Sequence, residues 1–266
     1  MENEMREEYQ ENGYVVLDSA FRQADLDAFS GELRRMVRFK LDAIGESVPD
    51  GDEFSAGIAS LEAAGHALIA DISDTIPSMP SFLRLVTCEE IEVAVKSLLQ
   101  VDTGAPIYLT NGAAIVALPH DRDFTYGWHK DVFYTIPRSH FVQLWAPLVQ
   151  DSTVELGTLQ VCPSSHKTGV RGSKVVEGVP NRHRYIVDEE EIRRWNVLDL
   201  PLKLGQAALF HGCLAHRSGA NTSDICRYSL VGVFHQVERE GFRPLLMRGE
   251  FQGESPESYF REVMSR

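Results

Sequence analysis

The sequence predicts an α+β fold that is mainly β, in which helices come first and an antiparallel core of short strands follows. The first observation is that apolar residues in the N-terminal part recur close to every 3.6 residues, as they do along amphipathic helices. The second is a change near Pro106 to short β-branched and aromatic runs, which Gly, Pro, Asn and Asp separate. Such runs are typical of a sandwich or a barrel.

The N-terminal elements follow in order along the chain. Residues 9–18 predict a short helix, a stop at Gly13 and a strand of apolar and aromatic residues. Residues 23–44 predict a long helix that packs its apolar side on the core, because its arginines lie largely opposite. Two shorter helices are predicted at Ser60–Ala70 and Glu89–Leu99, and a polar loop at Asp50–Ser55.

The β core is predicted from the runs that follow Pro106. A polar interruption at Val187–Trp195 indicates a helical insertion or lid, and Ser255–Met264 predicts a last helix. The predicted strands are Ile107–Leu109, Ala114–Leu118, Phe141–Leu148, Gly157–Val161, Gln206–His211 and Tyr228–Gln236.

We expect one domain over residues 1–266, because no Pro/Gly/Ser-rich or charge-run linker interrupts the chain. Its parts are a helical N-terminal part at about 1–105, the β core at about 106–240 and a tail at 241–266.

Composition and charge narrow the class of protein. A hydrophobic content of 43% and a charged content of 24% are typical of a globular protein. The net charge of −13 argues against nucleic acid as a partner, since phosphate backbones require a basic surface. No apolar run approaches the roughly 20 residues that span a membrane, and the acidic first residues are unlike a signal peptide. We therefore expect a cytoplasmic protein, a monomer or homodimer, that acts on a small molecule.

The four cysteines do not form a CxxC pair, so neither a zinc knuckle nor a thioredoxin-like motif is predicted. Reduced and mostly buried thiols are the expectation.

A short histidine and aspartate motif is the first candidate for chemistry. His129 and Asp131 stand two residues apart, and in an extended segment residues two apart point to the same face. The pair can therefore bind one metal ion. A His-x-Asp tripeptide alone is also common as a solvated surface pair, so the interpretation depends on further ligands.

His216 is the candidate third ligand. Two imidazoles and one carboxylate form the facial triad of non-haem Fe(II) oxygenases, which leaves coordination positions open. A 2-oxo acid can occupy two of these positions through its carboxylate and keto oxygens, and dioxygen can take the last. The triad therefore predicts iron as cofactor and an oxo acid with O2 as co-substrates.

Arg227 identifies the oxo acid. It follows His216 by eleven residues, and a strand pair joined by a turn at residues 219–222 would bring its guanidinium back beside the metal. There its planar fork can bind the second carboxylate of 2-oxoglutarate in a bidentate way. Ser218 is placed to add a hydroxyl donor, and Asn111 is a further candidate contact to 2-oxoglutarate.

With these residues in view, the sequence resembles the phytanoyl-CoA dioxygenase family over most of its length. The resemblance implies a double-stranded β-helix (jelly-roll, cupin-like) core with N-terminal and flanking helices. It also implies iron on His129, Asp131 and His216 and 2-oxoglutarate contacts from Arg227, Ser218 and the indole of Trp145. The matching stretches are residues 12–16, Trp128–Asp131, Gln143–Leu148, Gly157–Lys167 and His216–Arg227.

Some positions depart from the family pattern. Leu156-Gly157 stands where the family often has Asn-Gly, Ser164 replaces a glycine, and Gly205-Gln206 replaces Gly-Asp. None of these changes removes a metal ligand. Because Asp131 is a carboxylate and not Gly or Ala, the halogenase branch of the family is disfavoured.

Other histidines have simpler interpretations. His166 is expected to fix its turn by hydrogen bonding, and His211 is a weak alternative ligand. Substrate contacts are expected from loops over the barrel mouth, with Tyr126, Tyr134, Arg138 and residues 182–185 as candidates.

The predicted function is an Fe(II)- and 2-oxoglutarate-dependent oxygenase that most simply hydroxylates an unactivated C–H bond. Desaturation, epoxidation and cyclisation are alternatives of the same family. A non-catalytic jelly-roll binding protein is an alternative from another class, and a zinc hydrolase is a third. A hydrolytic zinc site has no need of Arg227, which separates it from the oxygenase.

Overall fold

The structure, a computed structural model of the 266-residue chain, describes residues 2–51, 53–120, 127–179, 184–245 and 253–265. Its N-terminal part is helical apart from one strand. In chain order the elements are α1 (Glu2–Asn12), β1 (Tyr14–Leu17), α2 (Gln23–Ala43), a π-helical turn (Glu53–Gly57), α3 (Ile58–Ala64), α4 (His66–Thr75), α5 (Pro80–Val86) and α6 (Glu89–Leu99).

The part of the chain after residue 105 is made mostly of strands. Short 3-10 helices at Asp131–Phe133 and Ser165–Thr168 interrupt them. The elements are β2 (Ile107–Ala117), β3 (Phe141–Pro147), β4 (Leu159–Val161), β5 (Ser173–Val175), β6 (Tyr185–Val187), α7 (Glu189–Ile192), β7 (Leu198–Leu200), β8 (Ala207–His211), β9 (His216–Ser218), β10 (Arg227–Gln236) and α8 (Pro256–Met264).

The strands form antiparallel sheets that face each other. A five-stranded sheet has the order β1-β8-β3-β10-β2, and a three-stranded sheet has the order β7-β4-β9. A separate hairpin pairs β5 with β6. All of these pairs are antiparallel. The arrangement is a double-stranded β-helix, in which two sheets enclose an interior.

The five-stranded sheet packs helices on one face and the smaller sheet on the other. Leu144 and Leu209 join the large apolar core that the N-terminal helices supply. Their neighbours Trp145 and Phe210 instead belong to the same apolar cluster as Leu159 of the three-stranded sheet. Side chains alternate between the faces of a strand, so this pattern gives the sheet two buried faces. The interior between the sheets is where a site can lie.

Several predicted elements match and others do not. The long helix and Glu89–Leu99 are confirmed as α2 and α6, whereas the helix predicted at Ser60–Ala70 is divided between α3 and α4. Gly65 takes an extended conformation (φ 160°, ψ 127°), which ends α3 and allows α4 to begin. The predicted loop at Asp50–Ser55 contains the start of the π-helical turn.

The two strands predicted at 107–109 and 114–118 are one continuous strand, β2. It pairs with β10 at residues 107–110 and 113–117, and a register shift between Val231 and Val233 accommodates the extra residue of β2 at Asn111-Gly112. The prediction divided the strand because Asn111 and Gly112 are turn residues by propensity, and tertiary pairing overrides that propensity. In the described residues, the longest helix is too polar and the others too short to cross a bilayer.

Candidate metal centre

His129 and His216 are held side by side by their own backbones. The two residues form an isolated antiparallel bridge, with His129 N 3.0 Å from His216 O and His216 N 3.1 Å from His129 O. This bridge adds one residue pair to the edge of the three-stranded sheet next to β9. The centroids of the two imidazole rings are 4.3 Å apart as a result.

Asp131 reaches the same point from a different local structure than the sequence predicts. Lys130 is extended (φ −128°, ψ 125°), but Asp131 begins a 3-10 helix. The extended step at Lys130 directs His129 and Asp131 to one side. One nitrogen from each histidine and one oxygen of Asp131 all lie within 4.8 Å of one another.

The hydrogen bonds of the two imidazoles fix which nitrogen faces the centre. Nδ1 of His129 lies 2.8 Å from the carbonyl oxygen of Gly127, and Nδ1 of His216 lies 2.9 Å from that of Leu214. Each Nδ1 therefore carries a proton and donates, so Nε2 of each ring points to the centre, where it can bind a metal once it carries no proton.

The Nε2 atoms and the Asp131 carboxylate lie close enough together that a proton or a metal cation must lie between them. Nε2 of His216 lies 3.1 Å from Oδ2 of Asp131, and Nε2 of His129 lies 3.5 Å from Oδ1. Oδ2 is buried and has no hydrogen-bond partner among the described residues. Two nitrogen lone pairs and a carboxylate that converge in this way are the donor set that binds a divalent transition metal.

The charges around the Asp131 carboxylate also favour metal binding. Burial alone would raise the pKa of Asp131, but the nearby His216 and His129 outweigh it and lower that pKa well below its usual range. Burial would lower the pKa of His129, whereas its contact with Asp131 raises it. Asp131 is therefore ionised and ready to coordinate.

Lys130, between the two ligands, points the opposite way and is 2% exposed. Its Nζ donates to the carbonyl oxygens of Gly169 at 2.7 Å and Arg171 at 3.1 Å. These carbonyls follow the 3-10 helix Ser165–Thr168. The ammonium group thus ties the ligand segment to a loop, a role that sequence reasoning did not assign.

Arg227 is a buried cation without a carboxylate partner among the described residues. It is 2% exposed, and its guanidinium donates to Ser218 Oγ at 3.3 Å and to the carbonyl oxygens of Leu156 and Gly157. Its Nε has no partner within the same residues. Burial lowers the pKa of Arg227 to about 10. A buried charge of this kind is costly without an anion, so the site fits an anionic ligand.

The connection between His216 and Arg227 differs from the predicted strand pair. β9 pairs with β4 in the three-stranded sheet, while β10 pairs with β2 and β3 in the five-stranded sheet. The prediction of a hairpin is therefore wrong. The segment between β9 and β10 crosses from one sheet to the other, because β9 pairs with β4 and β10 pairs with β2 and β3. This crossing still brings Arg227 to Ser218.

A cavity of about 210 Å³ opens between the sheets beside the three candidate ligands. Ser218 and Trp145, both predicted co-substrate contacts, lie on its wall, and Arg227 contacts that wall through Ser218. Tyr134, a predicted substrate contact, also lines it. The rest of the described lining is Ile115, Gln143, Leu159, Phe210 and Val231.

Some predicted contacts are not brought to this wall. Asn111 lies in β2, but its side chain is outside the described part of the chain. Tyr126 and residues 182–183 are also outside the described residues. Arg138 pairs instead with Glu254 and Glu262.

His166 and His211 lie outside the candidate metal centre and do not contribute ligands to it. His166 Nε2 lies 3.1 Å from the carbonyl oxygen of Gln10, which ties its turn to α1. The ring of His211 contacts those of His166 and Tyr9, with centroids 5.3 and 6.2 Å away, and is not part of the ligand group.

Comparison with known proteins identifies the family. The family model described as phytanoyl-CoA dioxygenase (PhyH) matches residues 9–229, which include all three candidate ligands and Arg227. The chain belongs to the phytanoyl-CoA dioxygenase family. This confirms the predicted family.

Two curated proteins have sequences related to this chain. "Phytanoyl-CoA dioxygenase domain-containing protein 1" of Danio rerio is 30% identical over 185 residues, which cover 68% of this chain and 58% of that protein. The chain thus spans less than two thirds of the length of that relative. "1-deoxypentalenic acid 11-beta-hydroxylase" of Streptomyces exfoliatus is 26% identical over 232 residues, which cover 81% of this chain and 73% of that enzyme.

Solved structures with a similar fold superpose over nearly the whole chain. The epimerase SnoN, in complex with Fe3+, alpha ketoglutarate and nogalamycin RO, has a TM-score of 0.61 at 18% identity and covers 96% of each chain. EvdO2 from Micromonospora carbonacea var. aurantiaca has a TM-score of 0.62 at 17% identity, covering 95% of this chain and 98% of its own. The predicted fold class is confirmed.

Proposed function

We propose that the chain is an oxygenase that uses Fe(II), 2-oxoglutarate and O2 to hydroxylate an unactivated C–H bond of a small molecule. One observation carries the proposal. Three convergent metal-ligand atoms lie in one cavity with Ser218, and behind Ser218 a buried arginine lacks a carboxylate partner among the described residues. A metal site alone fits many reactions, whereas a metal site beside an anion site fits a chelating dicarboxylate.

The metal roles belong to His129, Asp131 and His216. Each Nδ1 is committed to a backbone carbonyl, so each ring presents Nε2, and Asp131 supplies the negative charge. When bound, iron would couple the oxidation of 2-oxoglutarate to succinate and CO2 with transfer of one oxygen atom of O2 into a C–H bond.

The co-substrate role belongs to Arg227, Ser218 and Trp145. The guanidinium and the Ser218 hydroxyl would bind the carboxylate of 2-oxoglutarate distant from the metal, and the Trp145 indole would pack against its carbon chain. The apolar wall around them excludes water, which protects a reactive site from side reactions.

Hydroxylation is the first choice because the Streptomyces exfoliatus relative is named as a hydroxylase. The solved relatives include an epimerase and a carbocyclase of 18% identity each, which supports the fold and leaves desaturation, epoxidation and cyclisation as variants of one chemistry. A non-catalytic jelly-roll protein has no need to retain the ligands and Arg227 together.

The test starts with anaerobic protein, Fe(II) and 2-oxoglutarate. We expect a visible metal-to-ligand charge-transfer band, and succinate once oxygen is admitted. His129→Ala and Asp131→Ala should abolish the band, whereas His120→Ala, which changes an exposed histidine paired with Asp224, should keep it. A band of wild-type strength in either ligand variant contradicts the proposed metal site.

We also propose that residues 1–266 act as one domain, as a monomer or homodimer in the cytoplasm. All four cysteines are free thiols, which supports a reducing compartment. The net charge of −13 supports a small molecule, and not nucleic acid, as the partner.

A further inference from the structure

Gln143 has a polar atom that nothing in the described structure satisfies. It lies on β3 two residues before Trp145, on the same face, and lines the cavity beside the candidate metal ligands. Its Oε1 is buried and has no hydrogen-bond partner among the described residues. An unsatisfied buried acceptor costs about 1–3 kcal/mol, so this oxygen fits a ligand that brings a donor.

Strand register puts Gln143 at the opposite end of the cavity from Arg227. Along β10, Trp145 is opposite Val231 and Gln143 is opposite Val233, which follows Arg227 by six residues. A strand rises about 3.3 Å per residue, so the two levels differ by about 20 Å along the strand.

The candidate metal centre lies towards the Gln143 end. Phe210 is directly opposite Gln143 in the strand register. Its ring contacts that of His216, with centroids 4.7 Å apart. Ser218, two residues after His216, is instead the residue that contacts Arg227. The co-substrate therefore extends from the metal away from Gln143.

The chemistry of the two co-substrates excludes them as partners of Oε1. At neutral pH 2-oxoglutarate is a dianion that has acceptor oxygens and no hydrogen-bond donor, and O2 has none either. Apart from water, which a ligand can displace, the donor for Gln143 is therefore a group of the organic substrate.

The remaining described wall restricts what surrounds that donor. Phe210 is opposite Gln143, the cavity lining also includes Val231 and Tyr134, and the Tyr134 hydroxyl is already 2.8 Å from the carbonyl oxygen of Tyr185. An apolar pocket with one unsatisfied polar group selects strongly for a matching group on its ligand.

We propose that Gln143 is the specificity-determining residue of the substrate end of the cavity. The part of the substrate that enters beside the metal is an apolar carbon skeleton with one neutral hydroxyl or N–H that donates to Oε1. This inference rests on the proposed oxygenase function, and it names the class of substrate for that site.

The experiment uses Gln143→Leu, which keeps the approximate volume and removes the acceptor. The matched control is Val231→Leu, which changes the apolar wall of the same cavity and no polar group. The probes are monoterpene and steroid skeletons, each as the alcohol, the parent hydrocarbon and the carboxylic acid. Succinate formation above the substrate-free rate is measured, together with 2-oxoglutarate affinity from the anaerobic charge-transfer band.

The wild-type protein and Val231→Leu should prefer alcohols over the parent hydrocarbons by at least tenfold in kcat/KM. Gln143→Leu should reduce that ratio to within about threefold, with 2-oxoglutarate affinity unchanged. The inference is overturned if no neutral alcohol raises succinate formation, if Gln143→Leu keeps the preference, or if it weakens 2-oxoglutarate binding. If the wild-type protein itself shows no charge-transfer band, the proposed function is overturned, and the inference with it.

Discussion

Nη2 of Arg227 lies 3.3 Å from Oγ of Ser218, and this contact joins the first residue of β10 to the last residue of β9. The two residues belong to different sheets, so the contact joins the wall that carries His216 to the wall that carries Trp145. Co-substrate binding should therefore depend on Arg227 separately from metal binding.

The first prediction concerns Arg227→Met. The variant removes a buried guanidinium that has no carboxylate partner among the described residues, so 2-oxoglutarate should bind at least tenfold more weakly. Affinity for Ni(II), measured by calorimetry without 2-oxoglutarate, should stay within about threefold of wild type. Arg227→Lys keeps the charge without the planar fork and should fall between the two. An unchanged 2-oxoglutarate affinity in Arg227→Met contradicts the assignment.

The second prediction concerns Lys130→Met. Loss of the bonds to the Gly169 and Arg171 carbonyls frees the segment that carries His129 and Asp131, so Ni(II) affinity should fall by about tenfold. Lys167→Met is the control, because Lys167 is on the neighbouring 3-10 helix and pairs with Glu11 at the surface. If both variants bind Ni(II) as wild type does, Lys130 does not position the ligands.

The third prediction concerns Gly157→Ala. Gly157 has a φ of +73°, and a Cβ there would lie 2.3 Å from the carbonyl oxygen of Gly219. The backbone must shift, and its own carbonyl oxygen accepts from Arg227. We expect a loss of stability of about 1–3 kcal/mol and weaker 2-oxoglutarate binding.

Gly178→Ala is the matched control for this change. Gly178 has a similar φ of +76° but open space around the position of its Cβ. Urea unfolding should show a smaller loss of stability, and 2-oxoglutarate binding should not change. Equal effects of the two variants on 2-oxoglutarate affinity would contradict the role of the contact between Gly157 and Gly219.

The fourth prediction concerns pH and His235. Burial lowers the pKa of His235 to about 3, and its ring nitrogens contact hydroxyls of Thr110, Thr135 and Ser139. In the unfolded chain the pKa is about 6.5. The unfolded state therefore binds one more proton than the folded state between about pH 6.5 and 3, and stability falls as the pH falls through that range.

His235→Gln removes this titration. The decrease in the free energy of unfolding between pH 7 and pH 5, measured with urea, should be smaller in the variant than in the wild type by up to one proton's contribution, about 1.4 kcal/mol per pH unit. His211, whose pKa burial lowers to about 4, contributes in both proteins and cancels in the comparison. Equal pH slopes would contradict the buried neutral state of His235.

Sequence patterns predicted the long elements of the fold better than the short ones. α2 and β10 have enough residues for a repeat to be visible, whereas β5, β6 and β7, which were not predicted, have three residues each. A three-residue strand exists because of the partners it pairs with, and no local pattern specifies them.

Some residues of the candidate site could also be predicted from the sequence, and others could not. His129, Asp131 and His216 are recognisable by residue type and motif, and the structure brings them together. Lys130 was missed because a lysine between two ligands is expected to face solvent. Gln143 had a usable signal, since it stands two residues before Trp145 in a strand and residues two apart share a face.

Because of the antiparallel bridge between His129 and His216, the two sheets have different roles in the site. The small sheet and its bridge hold two of the candidate ligands, while Gln143, Trp145 and Arg227 project from the large sheet that the helices support. Substitutions on β3 and β10 can therefore change what the cavity accepts while the metal ligands stay where they are. Variants designed to change the ligands that the cavity binds should therefore carry their substitutions on those two strands.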